Sequence, residues 1–264
     1  MSVIKPRARP LGQVSLVRAI SKLGIGTRTQ AEEWILAGKV KVAGKVVTNP
    51  KMWVFPEKAG ITVEGVDSSK KRPMTIVLHK PTGLVTTRVD EKGRPTVYSL
   101  IEDVKIPLVP VGRLDLATSG LLIMTNDTQL ANWITDPKSG VLKTYLVLVD
   151  GEFTPEMRLK ILAGVTDQGE ILKASSVEIR KASRRESHLT VLLNEGKNRE
   201  IRRMMAAMGT PVRKLKRVAI GTLNLNDLEE GSWRELHPQE ITKAFPGAKQ
   251  GGVSGKKPPG KDHD

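Results

Sequence analysis

The segment at residues 65–73, Gly-Val-Asp-Ser-Ser-Lys-Lys-Arg-Pro, is polar, charged and turn-forming, and it divides the chain. A stretch of that composition does not pack into a core, so the residues on either side must each bury their own apolar surface. Upstream, Leu16, Ala19, Ile20 and Leu23 recur at i, i+3, i+4 and i+7, the period of an amphipathic helix. Gly24 then supplies the left-handed conformation that helix ends favour. Thr29-Gln30-Ala31-Glu32 predicts the start of a second helix, with the Thr29 hydroxyl capping one backbone N–H and Glu32 reaching back to another. Gly38 ends that helix. Lys39-Val40-Lys41-Val42 alternates strictly, Ala43-Gly44 turns and Lys45-Val46-Val47 returns, which predicts a hairpin completed by a strand at 61–63.

Downstream the pattern changes. Strands are predicted at 74–79, 121–125, 144–149, 172–180, 188–193 and 212–219, and helices at 129–135, 155–163 and 198–208. Several of these strands follow one another with no helix between them, which favours an α+β fold with a mostly antiparallel mixed sheet over a doubly wound one. The expected organisation is a basic flexible arm (1–13), a small helix-helix-hairpin domain (14–65), a linker (66–73), a larger domain (74–245) and a disordered basic tail (246–264).

Charge decides what such a chain meets. Its 264 residues carry 43 Lys and Arg against 28 Asp and Glu, a formal net charge of +15, which favours a polyanion and nucleic acid in particular. Aromatic residues make up only 3%, too few for an extended base-stacking platform. There is no cysteine, which excludes disulfides, thiol nucleophiles and thiolate zinc sites, and the four histidines lack metal-ligand spacing. No apolar run is long enough to span a bilayer and the first residues lack a secretory core, so no membrane partner and a reducing cytoplasm are expected.

Residues 1–50 carry nine basic side chains against Glu32 and Glu33. Lys39 and Lys41 fall on the hairpin face opposite Val40 and Val42, and Arg28 lies beside the start of the second helix, where free backbone N–H groups also attract phosphate. These three are the candidate RNA-binding residues of the first domain, although the same pattern suits a solvated face. Residues 14–65 resemble the RNA-binding domain named after ribosomal protein S4, most tellingly in Leu23-Gly24-Ile25-Gly26-Thr27-Arg28-Thr29-Gln30-Ala31-Glu32 and in 37–47. Ser15 and Thr29 stand where that family usually has arginines.

In the second domain, Gly112-Arg113-Leu114-Asp115-Leu116-Ala117-Thr118-Ser119-Gly120 is a glycine-pinned loop leading into a strand. By residue type alone Asp115 could be a turn or helix cap. The motif closely resembles the signature of pseudouridine synthases, in which the Asp115 position is the catalytic aspartate. His79-Lys80-Pro81-Thr82-Gly83 resembles that family's opening motif, Lys143-Thr144-Tyr145 its tyrosine segment, and residues 194–205 its third motif. With the S4-like domain, the combination resembles the RsuA-type branch, which modifies ribosomal RNA; the run at 92–97 is similar to its large-subunit members.

The resemblance implies an isomerase that moves the ribose attachment of a uridine from ring nitrogen to ring carbon. It implies Asp115 as nucleophile, at either the sugar or the ring, with Arg202 as its electrostatic partner and Tyr145 as the residue that stacks on the base. Arg113 would fill the gap left by an extruded base. With Ile201, Met204, Met205 and Met208 on the core face of the helix at 198–208, the candidate RNA-binding residues Lys197, Arg199 and Arg203 are expected to face solvent or RNA. Read without the family, Tyr145 suits a core strand, Arg202 a phosphate contact and Arg113 a phosphate contact or a structural salt bridge. An isomerisation needs neither metal nor redox cofactor, so none is expected, and ribosomal RNA or a pre-ribosomal particle is the expected partner of a monomer. The alternative is a non-catalytic RNA-binding or ribosome-assembly factor that keeps the synthase fold.

Overall fold

Hydrophobic cores form on both sides of the 65–73 segment, one before it and two after it, and the chain divides into two units between Pro73 and Met74. The computed structural model describes residues 12–56, 58–66 and 73–248. Most of the expected arm, linker and tail lies outside them.

In the first unit, β1 (Val14–Ser15) leads into α1 (Leu16–Lys22), α2 (Arg28–Leu36), β2 (Val40–Val42), β3 (Lys45–Val46), β4 (Trp53–Val54) and β5 (Ile61–Val63). Leu16, Ala19 and Ile20 of α1 and Ala31 and Ile35 of α2 bury against Val40, Val54, Ile61 and Val63. The capping box lies two residues earlier than predicted: Thr27 accepts from Gln30 N–H at 3.2 Å, and the Gln30 side chain accepts from Thr27 N–H at 3.0 Å. A cap needs extended backbone, which Thr27 has; Thr29 already lies within the first turn.

The second unit contains β6 (Thr75–Lys80), β7 (Val109–Pro110), β8 (Ser119–Thr125), α3 (Thr128–Thr135), β9 (Lys143–Asp150), α4 (Pro155–Ala163), β10 (Val165–Asp167), β11 (Glu170–Leu172), β12 (Ser176–Ala182), β13 (Glu186–Leu193), α5 (Glu200–Ala207), β14 (Val212–Ile220), β15 (Leu223–Asn224), β16 (Trp233–Glu235) and α6 (Pro238–Ala244). A nine-stranded sheet runs β12-β13-β9-β14-β8-β6-β16, with β15 on β14 and β7 on β8. All its pairs are antiparallel except β14 with β8.

Burial follows the sequence pattern. β9 and β13 alternate and are covered on one face, whereas the continuous apolar runs of β6 and β8 are buried on both. Ile76, Leu78, Leu122 and Met124 enter one core, and Val77, Leu121 and Ile123 the other. The strand expected at 172–180 is two: Leu172 closes the β10–β11 hairpin opposite Val165, and β12 starts at Ser176. α5 starts at Glu200, two residues later than expected, because Arg199 takes a left-handed backbone. No helix among the described residues is long and apolar enough to cross a membrane.

Candidate active site

The loop between β7 and β8 carries Asp115, and its backbone is held from below. Lys80, the last residue of β6, is fully buried and donates to the carbonyls of Pro81 at 2.9 Å, Asp115 at 3.2 Å and Thr118 at 2.9 Å. Its three N–H groups therefore meet three acceptors, which is what a buried ammonium requires. Burial lowers its pKa to about 8, with the Asp115 charge opposing and Arg217 reinforcing the shift. Thr86 adds a second tie, donating its hydroxyl to Leu114 O at 2.9 Å, and Thr118 N–H closes the turn on Asp115 O at 3.0 Å. Both Lys80 and Thr86 were missed as site residues, although Lys80 lies in the 79–83 motif and is a charge at the end of an apolar strand.

Pinned in this way, Asp115 faces a cavity of about 340 Å³ whose wall includes Arg113, Lys143, Tyr145, Arg199 and Arg217. That volume suits a single base or nucleoside. β9 supplies Lys143 and Tyr145 from alternate positions, so both point the same way, and β14 places Arg217 opposite Tyr145. Tyr145 is buried at 8% exposure, one side in the core and the other on the cavity. Arg113 is exposed and also borders a second cleft lined by Asp90, Lys92 and Arg94. There Arg94 pairs with Asp90 at 2.7 Å.

The third motif departs from expectation at three positions. Arg202 does not pair with the Asp115 carboxylate; its guanidinium donates to Ala117 O at 2.7 Å and Val212 O at 3.3 Å, tying α5 to the Asp115 loop. Burial holds its pKa below the usual arginine range, Arg199 adds to this and Asp115 opposes it, so it feels the carboxylate without touching it. The cation nearest Asp115 is Arg199, at 3.9 Å. Its left-handed backbone, φ 49°, swings it out of the helix line toward the loop. Arg203 is not free for RNA: Asp167 and Glu170 of the β10–β11 hairpin clasp its guanidinium. Lys197 is likewise engaged, donating to Ile171 O and Glu195, each at 2.7 Å. Acids of a distant hairpin use the Arg203 charge, and a distant carbonyl together with Glu195, two residues before it, uses that of Lys197, so the residue run overstated the free cation density. In the other unit, Arg28, Lys39 and Lys41 are all exposed.

Glu200 is another residue the sequence did not single out. It is buried at the start of α5 on the cavity wall, with Oε2 accepting from Lys197 N–H at 3.0 Å and Oε1 unpartnered among the described residues. Burial raises its pKa from 4.5 to about 7, and the neighbouring Glu195 adds to the shift. Between those values the folded chain keeps a proton that the unfolded chain releases, so this group's contribution to stability falls as pH rises from 4.5 to about 7. Glu200→Gln, which is neutral throughout, is expected to gain about 2–3 kcal/mol relative to the parent at pH 8 over their difference at pH 4.5. Urea unfolding of both proteins at the two pH values measures this; a gap independent of pH would refute it.

Among the described residues no group of acidic and histidine side chains is placed to hold a metal ion. His79 is buried with Nδ1 at 2.6 Å from Leu228 O, His188 meets Glu186 and His237 caps α6.

Comparison with known proteins shows the family. Residues 74–207 match the family model for RNA pseudouridylate synthase, and residues 14–54 match the S4 domain. An uncharacterized RNA pseudouridine synthase of Aquifex aeolicus is 35% identical over 88% of this chain and 94% of that protein. The ribosomal large subunit pseudouridine synthase B of Bacillus subtilis is 36% identical over 86% of this chain and 94% of its own length. A solved pseudouridylate synthase structure aligns with a TM-score of 0.61 and 30% identity, covering 88% of this chain and 99% of that one. The matched segments contain the loop of Asp115, the Tyr145 strand and the start of α5, and on these grounds the chain belongs to the RNA pseudouridylate synthase family, with an S4 domain ahead of its synthase domain.

Proposed function

We propose that this chain converts one uridine of ribosomal RNA, in the large subunit, to pseudouridine, acting as a cytoplasmic monomer without a bound cofactor. The observation that carries the reading is the cavity itself. Three carboxylates (Asp115, Glu195 and Glu200), one aromatic ring and several cations surround a space the size of a nucleoside, and the loop bearing Asp115 is fastened by buried polar contacts. The Bacillus subtilis relative, named as a large-subunit enzyme, supports the choice of RNA.

In this reading Asp115 is the nucleophile, splitting a difficult transfer into two easier steps. Tyr145 offers its ring to the extruded base. Exposed Arg113, at the rim of the cavity, fills the space the base leaves in the RNA. Arg202 fixes the loop and adds a positive field, and Arg199 balances the Asp115 charge until RNA arrives. Arg28, Lys39 and Lys41 of the S4 domain supply sequence-independent phosphate contacts.

The test is a map of ribosomal RNA by carbodiimide-blocked primer extension in a strain lacking the gene. One stop in large-subunit RNA is expected to vanish and to return when the gene is restored. A complete map together with impaired subunit assembly would instead favour a non-catalytic assembly factor.

A further inference from the structure

Arg217 is a buried cation without a buried anion. It is only 4% exposed, and among the described residues no carboxylate pairs with it. Its donor fork is underused: Nε donates to Leu121 O at 2.7 Å, Nη1 reaches the Tyr145 hydroxyl only at 3.5 Å, and Nη2 has no partner among the described residues. The guanidinium carbon lies 6.0 Å from the centre of the Tyr145 ring, and both residues line the cavity that Asp115 faces. Its charge is felt by neighbours, helping to lower the pKa of Lys80 and of Lys143. A fold does not gain from burying an unsatisfied guanidinium beside two lysines, so the arrangement calls for an acceptor that arrives with the substrate.

The reaction supplies one. Resting on the reading of this chain as a uridine isomerase, we propose that Arg217 is a catalytic residue that binds a carbonyl oxygen of the extruded uracil and stabilises the negative charge gathering there as the ring leaves the ribose. When the Asp115 carboxylate donates an electron pair to C1′, the bond from C1′ to N1 breaks and its pair departs with the uracil, shared among N1, O2 and O4. The ring turns, C5 attacks C1′, and the C1′–O bond returns its pair to Asp115. The C5 proton leaves and N1 takes one up, so the product has the composition of the substrate. If Asp115 adds to the ring instead, the displaced pair again settles on a carbonyl oxygen, and the same guanidinium meets it. A preorganised donor aimed at developing charge in a dry site is the strongest kind of catalytic contact a side chain makes.

The test compares single-turnover rates on two RNAs that differ only at the target, uridine or 5-fluorouridine, followed as disappearance of the N-linked nucleoside in nuclease digests. Fluorine withdraws electrons and stabilises the uracil anion by itself, so it takes over part of what Arg217 does. Arg217→Gln is expected to slow the uridine substrate by about 10²–10³-fold, and the fluorinated one at least about tenfold less, with Arg217→Lys losing less on both. Both rates come from the same preparation, so a reduced folded fraction cancels from their ratio, and Arg217→Lys is read the same way if Arg217→Gln does not fold. Equal losses on the two RNAs would overturn the proposal. If the parent protein itself isomerises no uridine, it is the functional reading that fails.

Discussion

Asp115→Asn is expected to abolish isomerisation, lowering the single-turnover rate by at least about 10⁴-fold, as removal of a nucleophile does in enzymes where it has been measured. RNA affinity should stay within a few-fold. Two features of the site separate these outcomes. The loop is held through main-chain atoms, with Asp115 O accepting from Lys80 and from Thr118 N–H, and asparagine keeps that backbone unchanged. The side chain, by contrast, has only Arg199 at 3.9 Å among the described residues, so its replacement breaks no tight contact there. An amide of the same shape fills the space but cannot donate the electron pair the reaction needs. Removing a negative charge from a cationic cavity also does nothing to repel phosphate. Tritium release from RNA labelled at uridine C5 reads the chemistry and filter binding reads affinity. Release persisting within tenfold of the parent would mean another group is the nucleophile.

The elements of this fold were legible wherever burial is periodic. The helix Pro155–Ala163 fell where expected, and β9 and β13 showed their alternation because each has one covered face. The strand break near Ala174 was hidden, since Leu172 and Val177 are apolar whether they belong to one strand or two. Only the pairing of Leu172 with Val165 tells them apart. The site divides in the same way. Asp115, Tyr145 and Arg113 were found through motifs, and all three line one cavity. Which arginine of the third motif reaches Asp115 was not legible: Arg199 and Arg202 are three residues apart, and a left-handed backbone at Arg199 decides the matter. Arg203 read as a surface cation because Asp167 and Glu170, which clasp it, arrive from a distant hairpin. Lys80, Glu200 and Arg217 share that difficulty. A charged residue in a strand or helix gives no sign of its burial until its partners, or their absence, are in place.

Gly120→Ala is expected to destabilise the synthase domain more than any other single methyl addition considered on this sheet, and the reason ties the fold to the site. Gly120 pairs with Arg217 where β8 meets β14, the one parallel junction in the sheet. A Cβ there would stand 2.1 Å from Arg217 O, 2.7 Å from its N and 2.9 Å from its carbonyl carbon. These are backbone atoms, so no side-chain rotation relieves the clash. The backbone at Gly120, φ 109°, is also one that an L side chain rarely adopts. Strain and overpacking each cost about 1–3 kcal/mol, so a loss of roughly 2–6 kcal/mol is expected, or a fall in Tm of about 4–24 °C for a domain of this size. Gly196→Ala is the control, since nothing lies within 4 Å of its added methyl and its backbone is ordinary; it should melt like the parent. The seam matters beyond stability. Asp115 and Lys80 belong to the β8–β6 side, Tyr145, Arg199 and Arg217 to the β14–β9 side, so prying the strands apart separates the nucleophile from the ring and cation across the cavity. Protein that remains folded below the lowered Tm should therefore also be slow in single turnover. A Gly120→Ala variant melting within about 2 °C of the parent would show that the two strands can part without cost, and the closeness argued for this site would be wrong.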